Sequence, residues 1–194
     1  MTEQTAKKQE TTKKGVGKKE KVPYEDMHPF LRELIDEHEE ATLRIKKFEF
    51  VLNQIREKGL NQNKADQVSS FFDFFDNNIL VHNEKEDQRF FPLLQERLRA
   101  NEIYEKEEDK LTAVDLLKKD HIKAVQLGAV CFNLFGLALR LPDTDSRIVT
   151  LDLATEQSKE LADTLNHHIG REEDIALPLA HQHLTQEELD HCME

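Results

Sequence analysis

The chain has 194 residues, which suits a single domain with a sizeable buried core. Its six glycines and five prolines exclude collagen-like and Pro/Gly-rich chains and argue against barrels or sandwiches of many short strands. Charged residues make up 34% of the chain and hydrophobic residues 38%, a mixture that favours long amphipathic helices.

The net charge of −12 is unevenly distributed along the chain. Residues 1–22 hold seven lysines and three glutamates, whereas the remainder holds 20 basic and 36 acidic side chains. An acidic domain repels a phosphate backbone, so we expect it to bind no nucleic acid. The lysine-rich segment lacks apolar periodicity and is predicted to be a disordered tail.

The sequence also bears on location. No unbroken run of 18 apolar residues and no apolar signal segment occur, so we expect neither a membrane partner nor secretion. The two cysteines form no CxxC motif or disulfide framework, which favours a cytoplasmic location. We interpret Cys131 as an inert core thiol and expect Cys192 to be exposed.

Four long helical patterns occupy residues 23–184. The first is predicted to begin near Asp26, a good N-cap residue, and to stop at Gly59. The second is predicted to begin after the stretch 61–63 and meets Pro92.

The third helical pattern begins between residues 105 and 112 and ends before Pro142, with Val125 and Phe132 on its apolar stripe. The fourth begins near residues 143–145 and reaches Pro178. A tail of residues 185–194 holds a short helix, which the capping pattern of Thr185 and Glu188 predicts. The predicted fold class is all-α, an up-down-up-down four-helix bundle with a short C-terminal helix.

Nine histidines are many for this length, and four of them lie on the apolar stripes, one in each long helix. These are His38, His82, His121 and His168. Glutamates follow two of them by four residues, Glu86 after His82 and Glu172 after His168, so they share the inward face.

The chain also repeats part of its pattern. His82, Glu86 and Pro92 have the same spacing as His168, Glu172 and Pro178. His38 precedes His82 by 44 residues, and His121 precedes His168 by 47. We therefore expect two similar halves, whose packing brings four histidines and two glutamates to one level of the bundle.

A buried carboxylate is costly unless it is paired or binds a metal ion. A lone inward histidine is usually a satisfied core residue, but six such side chains are hard to satisfy by hydrogen bonds alone. Imidazole and carboxylate are good ligands for divalent iron, manganese or zinc. Six ligands exceed the four of a structural zinc site and suit two ions, each with an open coordination position.

The arrangement resembles the hemerythrin-like, HHE cation-binding family over about residues 26–180. The matching residues are Glu37-His38, His82 and Glu86 with Phe90-Phe91-Pro92, Asp120-His121, and His168 and Glu172 with Leu177-Pro178. The resemblance implies two non-haem iron ions, bridged by two carboxylates and an oxo or hydroxo group. The implied metal ligands are His38, His82, Glu86, His121, His168 and Glu172, with manganese and zinc as open alternatives.

One feature departs from the oxygen-carrying hemerythrins, which have an HxxxH pair on the third helix. The positions four residues either side of His121 are Leu117 and Val125. The ligand set is more similar to the branch that senses oxygen, handles iron or repairs damaged iron–sulfur centres. The repair proteins carry an N-terminal Cys-Cys pair, and this sequence holds no such pair.

The leading hypothesis is a di-iron protein that binds or senses oxygen, nitric oxide or peroxide, or handles iron. The alternatives are a di-iron oxidoreductase or repair-type activity, and an interaction module that a metal stabilises. The sequence leaves open whether the protein is an enzyme and which protein partner it has.

Other polar residues near the ligands are given weaker roles. We expect Asp87 and Glu173 to be solvated, with outer hydrogen bonds to the ligands as the alternative, and His167 to flank the site. His28 is interpreted as a surface or capping residue. The remaining histidines lie in the C-terminal region, where the HxxxE spacing of His183 and Glu187 is attributed to chance: His181, His183 and His191.

Overall fold

The computed structural model describes residues 22–106 and 108–194, and within these ranges the chain is all-helical with no β-strand. The predicted all-α class is therefore confirmed, and the helices form a bundle. The predicted disordered tail lies outside the described residues, except for residue 22.

Five helices cover most of the described ranges. They are α1, Pro29–Lys58; α2, residues 62–100; α3, Ala113–Arg140; α4, residues 144–183; and α5, Gln186–His191. Helix α2 contains two π-helical segments, Phe75–Ile79 and Glu86–Phe90, and α4 contains one, Glu172–Ala176. A π-helical segment is a single wide turn that is frequent at functional sites.

Helix α1 begins later than predicted, because its N-cap is His28 and not Asp26. The His28 imidazole Nδ1 accepts a hydrogen bond from the Phe30 backbone N–H at 3.2 Å. A residue before proline favours extended backbone, and His28 has a ψ of 144°, so the helix starts at Pro29. Asp26 lies in a short 3₁₀ turn, Tyr24–Asp26.

The starts of α3, α4 and α5 and the end of α1 agree with the sequence patterns, whereas α2 begins inside the stretch 61–63 and not after it. Asn61, Thr112, Asp143 and Thr185 each accept a backbone hydrogen bond from the first turn of the helix that follows. Gly59 ends α1 with a φ of 72°, which favours glycine. These caps satisfy backbone N–H groups that would otherwise lack partners.

Helices α2 and α4 do not stop at Pro92 and Pro178, contrary to the sequence expectation. Helix α2 runs past Pro92 to Ala100, and α4 runs past Pro178 to His183. Proline has no N–H, and its ring clashes with a carbonyl one turn earlier in an α-helix. In both helices a π-helical turn ends two residues before the proline, and its wider spacing accommodates the ring.

The buried apolar residues form two clusters along the bundle. One contains Ile45, Phe48, Phe71, Phe75, Ala124 and Leu165, and the other contains Leu34, Phe90, Phe91, Leu94, Leu117 and Leu177. Each inward histidine lies between members of the two clusters on its own helix; His121, for example, lies between Leu117 and Ala124. The four histidines therefore occupy a level with apolar core on both sides.

The short helix α5 packs against the second cluster. Leu189 and Cys192 are each 1% exposed, so the expectation of an exposed Cys192 is wrong. Asp190 lies 3.1 Å from His28 Nε2, and Glu188 pairs with Arg97, which together hold α5 against the bundle. Cys131 is fully buried, as predicted.

The apolar stripe of α3 is only partly buried. Val125 is 47% exposed and Phe132 is 60% exposed, although both were predicted to face the core. Each follows a buried residue, Ala124 or Cys131, by one position, which turns it by about 100° around the helix. The core covers only part of the apolar arc of α3, although the exposed Phe132 ring still meets the core residue Phe72 with its centroid 5.6 Å away.

Helix α3 is also the one helix in the described ranges that is long and apolar enough to cross a membrane, judged by length and composition. Its most apolar window has a mean hydropathy of 1.7, and 28% of that window is buried. Gln126 and Asn133 interrupt the apolar run without adding charge, so the sequence criterion of an unbroken run missed it. Core helices of helical bundles pass the same test.

Two glycines of α3 give a matched test of the packing. A Cβ atom at Gly128 would lie 2.8 Å from a ring carbon of buried Phe75, which Phe71 and Phe72 surround. We expect Gly128→Ala to lower the free energy of unfolding by about 1–3 kcal/mol. At Gly136 a Cβ atom would meet nothing within 4 Å in this chain. Gly136→Ala should therefore raise the free energy of unfolding of the single chain by up to about 1 kcal/mol. Equal effects in chemical denaturation would contradict this packing.

Candidate metal centre

All six residues that were predicted as metal ligands lie together between the two apolar clusters. The side chains of Glu86 and Glu172 are 0% exposed. Those of the four histidines are at most 10% exposed: His38, His82, His121 and His168. Helix α1 supplies one of the six, α2 two, α3 one and α4 two.

The first group of ligand atoms comes from α1, α2 and α4. The Nε2 atoms of His38 and His82 lie 3.3 Å apart. His82 Nε2 lies 3.3 Å from Glu86 Oε1, and His38 Nε2 lies 3.2 Å from Glu172 Oε2. Four donor atoms therefore lie within 4.8 Å of one another, as one metal ion requires.

The second group adjoins the first and shares Glu86 with it. His121 Nε2 lies 3.2 Å from Glu86 Oε2 and 3.3 Å from His168 Nε2. His168 Nε2 also lies 3.5 Å from Glu172 Oε2, the oxygen that contacts His38. Glu86 thus directs one oxygen to each group, which is the position of a bridging carboxylate.

The donor set fits metal ions better than it fits hydrogen bonds. Both carboxylate oxygens of Glu86 and of Glu172 are buried without a hydrogen-bond partner. Two nitrogens 3.3 Å apart match two bonds of about 2.1 Å that subtend about 100° at a shared ion. Imidazole with carboxylate suits iron, manganese and zinc, so the residues alone do not choose the metal.

Two further carboxylates make hydrogen bonds to the imidazoles from outside, and a third lies within ion-pair distance of one. Glu37 Oε2 lies 2.6 Å from His82 Nδ1, and Asp87 Oδ2 lies 3.1 Å from His121 Nδ1. Glu173 Oε1 lies 3.3 Å from His38 Nδ1. A proton on Nδ1 leaves the Nε2 lone pair directed into the site, which strengthens it as a ligand.

The expectation that Asp87 and Glu173 are solvated holds only in part, because their side chains are 41% and 29% exposed and each also lies against the Nδ1 atom of a candidate ligand histidine. Each follows a bridging glutamate by one position, so it turns from the site toward a histidine of a neighbouring helix. Glu37 belongs to the sequence motif, but its role could not be assigned from the motif alone. In the sequence, Glu37, Asp87 and Glu173 could be recognised only as acidic residues that adjoin a predicted ligand. The neighbouring helix that each one faces depends on how the helices pack.

Burial and charge shift the pKa values of the ligands in the metal-free site. Burial alone lowers the pKa of His38 and of His82, but Glu172 and Glu86 outweigh it and raise these pKa values to about 9 and about 10. Burial lowers the pKa of His168 to about 3. Burial and the charge of Glu86 raise the pKa of Glu172 to about 7.

A cavity of about 290 Å³ opens beside the first group. His38, His82 and His168 form part of its wall, and Lys85 lies at the same cavity, where it contacts Glu33 and Glu37 at 2.8–2.9 Å. Most of its remaining inner lining is apolar: Ala41, Ile45, Phe74, Ile79, Leu165 and Ile169. A small molecule can therefore reach the histidines through a mainly apolar space.

The other histidines do not join the site. His167 is exposed, and its Nδ1 lies 2.7 Å from the Asp163 carbonyl of its own helix. His28 caps α1, which is one of the two roles predicted for it. His181 and His191 are exposed near the C-terminus. The candidate ligands are thus the six residues on the inward stripes.

No protein-family model, curated protein or solved structure matches this chain. The resemblance to hemerythrin-like proteins therefore rests on the ligand pattern and its spacing. The geometry of the six side chains does not depend on that resemblance.

The outer carboxylate Glu37 provides a test of ligand orientation. We expect Glu37→Ala to weaken metal binding by about 10–100-fold, because His82 loses the acceptor that holds its Nδ1 proton. Competition with a chelator measures the affinity. Glu40→Ala is the matched control, since Glu40 is exposed on the same helix and pairs with Arg44. Equal affinities in the two variants would contradict the orienting role.

Metal binding should release protons. At pH 7 the raised pKa values keep His38 and His82 protonated in the metal-free protein, whereas ligation needs neutral imidazole. We expect between two and three protons to leave at pH 7, two from His38 and His82 and a part from Glu172, and apparent affinity to rise from pH 6 to pH 9. Titration calorimetry in buffers of different ionisation enthalpy counts these protons. The number of protons released should decline as the pH rises past the pKa values of His38 and His82. No proton release at pH 7 would contradict the prediction, because both imidazoles would then already be neutral in the metal-free protein.

Proposed function

We propose that this protein is a hemerythrin-like, up-down-up-down four-helix bundle that holds two non-haem iron ions. It would use them to bind or sense oxygen, nitric oxide or peroxide, or to handle iron. The observation that carries the proposal is the buried carboxylate of Glu86, which directs one oxygen to each of two histidine pairs.

The division of the ligands supports two ions rather than one. His38 and His82 face each other on one side of Glu86, and His121 and His168 face each other on the other side. Glu172 Oε2 lies within 3.5 Å of one histidine from each pair. A single ion cannot satisfy two separated imidazole pairs, whereas two ions share both glutamates.

Iron ions at these positions would supply redox chemistry and open coordination positions for a small ligand. The residues of the chain prepare the site for that role. Glu37 and Asp87 hold protons on the outer nitrogens of His82 and His121, which keeps both inner nitrogens available. The Lys85 ammonium lies 2.8 Å from Glu37 and partly offsets its negative charge.

The cavity beside His38 and His82 supports ligand binding over a purely structural role. A structural metal site is closed by its protein ligands, whereas a reactive site keeps a coordination position accessible. The apolar lining from Ile45, Phe74 and Ile79 admits small uncharged molecules and disfavours bulk water. Oxygen and nitric oxide have these properties.

A metal-stabilised interaction module is the second candidate function. The exposed apolar surface of α3, which includes Ile122 and Phe132, favours a protein contact. In that case the metal ions would stabilise the bundle without binding a further ligand.

The test is purification without oxygen, followed by metal analysis and visible spectroscopy before and after exposure to air. We expect two irons per chain and a new charge-transfer band. Glu86→Ala and Glu172→Ala should lose iron, because each removes a carboxylate shared by both ions. His183→Ala is the matched control, since His183 repeats the HxxxE spacing outside the site.

The outcomes separate the alternatives. Two irons retained in both glutamate variants would contradict the shared ligands. Zinc, or one metal ion without a spectral change, would leave a metal-stabilised scaffold. Sustained turnover of ferrous iron or peroxide, in place of one stoichiometric event, would identify a di-iron oxidoreductase.

A further inference from the structure

The side of α3 that faces away from the core forms a broad apolar surface, here called the outer face. Ile122, Phe132 and Leu139 are 61%, 60% and 62% exposed. The outer face is formed by residues that recur every three or four positions: Ile122, Val125, Ala129, Phe132, Gly136 and Leu139.

The apolar surface continues beyond this line of residues. Lys123 of α3 pairs with Glu160 of α4, so the two helices adjoin along one edge of the outer face. Val130 lies seven residues after Lys123, and Leu153 lies seven residues before Glu160. Both side chains are 44% exposed. At the start of α4, Val149 is 69% exposed and lies four residues before Leu153, on the same side of that helix.

The extent of this surface matches the largest apolar patches that monomers expose, which are often functional. Six large apolar side chains of α3 and two on the adjoining side of α4, Val149 and Leu153, are 41–69% exposed. Together they present on the order of several hundred Å², in the range of the largest patch of a typical monomer. A standard interface buries about 800 Å² per partner, which this surface with its polar rim approaches.

The charge pattern favours a second copy as the partner. Residues 124–139 include no charged side chain, whereas the chain beyond residue 22 is strongly acidic. Two acidic molecules repel each other on most surfaces, but two outer faces meet without burying like charges. Lys119 and Asp143 lie beyond opposite ends of the face, so an antiparallel pair brings opposite charges together.

Gly136 gives an independent indication of close approach. Glycine weakens the interior of a helix, yet a Cβ at Gly136 would meet nothing within 4 Å in this chain. Gly128 differs, because Phe75 occupies the space beside it. Gly136 and Ala129 are seven residues apart on the outer face, so both leave room for a second helix backbone.

We propose that the outer face of α3 is a dimer interface, on which the same face of a second copy packs antiparallel about a two-fold axis near Ala129 and Phe132. This interface is isologous, with the same residues contributed by each copy. It contains none of the six candidate metal ligands, so it is independent of the proposed function.

The test uses charges placed at Ala129, which is exposed and tolerates longer helix-forming side chains. Sedimentation velocity over 1–200 µM should give a dimer for the unmodified protein. Ala129→Glu and Ala129→Lys should each weaken dimerisation at least tenfold, because like charges meet near the axis. An equimolar mixture of the two variants should restore the dimer, since opposite charges then face each other.

A matched control uses Phe50, which is 64% exposed on α1 and lies outside the outer face. Phe50→Glu should leave the dimer unchanged, and thermal unfolding should verify that all variants are folded. Metal content should be unaffected in every variant, so failure here does not bear on the metal centre.

Three results would overturn the proposal. The first is a monomer at 200 µM for the unmodified protein. The second is a dimer that survives both charge variants, or a mixture that stays monomeric. The third is a monomer that binds phosphatidylcholine–phosphatidylglycerol vesicles when unmodified but not as Ala129→Glu, which would assign the outer face to a membrane surface.

Discussion

Two glutamates with no solvent exposure constrain the rest of this molecule. Glu86 and Glu172 lie near each other between two apolar clusters, where an isolated carboxylate would be prohibitively costly. Positive charge must therefore be present at this level, either as protons on His38 and His82 or as metal ions. The inward histidines can carry this charge, and the outer carboxylates of Glu37 and Asp87 hold two of these imidazoles in place.

The sequence predicted the ligands because polar residues on an apolar helical stripe conflict with ordinary burial. His38 and Glu86 stand out in that way without any structure. The helix ends also followed local rules, as Thr112 and Thr185 illustrate. The roles of Asp87 and Glu173 did not follow, because they depend on the rotation of one helix against another. Continuation past Pro92 needed the π-helical turn, which has no local signature here.

Val125 and Phe132 show a different limit of sequence reasoning. Helical periodicity identifies apolar residues that share a side of a helix, but not what that side contacts. On α3 the apolar arc is wider than the part that the core covers, so both residues were predicted to be buried and are exposed. The part of this apolar arc that the core leaves uncovered is informative. Folding does not need this surface, so it is available to a partner.

The separation of the ligands along the chain has a consequence for the order of events during synthesis. His38 and Glu172 are 134 residues apart in sequence, yet their side chains lie 3.2 Å from each other. A growing chain whose α4 has not yet emerged from the ribosome lacks Glu172 and the second imidazole of one pair, His168. The earlier helices can collapse, but the full ligand set assembles only when the last long helix docks. The proposed metal ions can therefore be held by the full ligand set only after the last long helix has docked, and protons on His38 and His82 supply the positive charge until then.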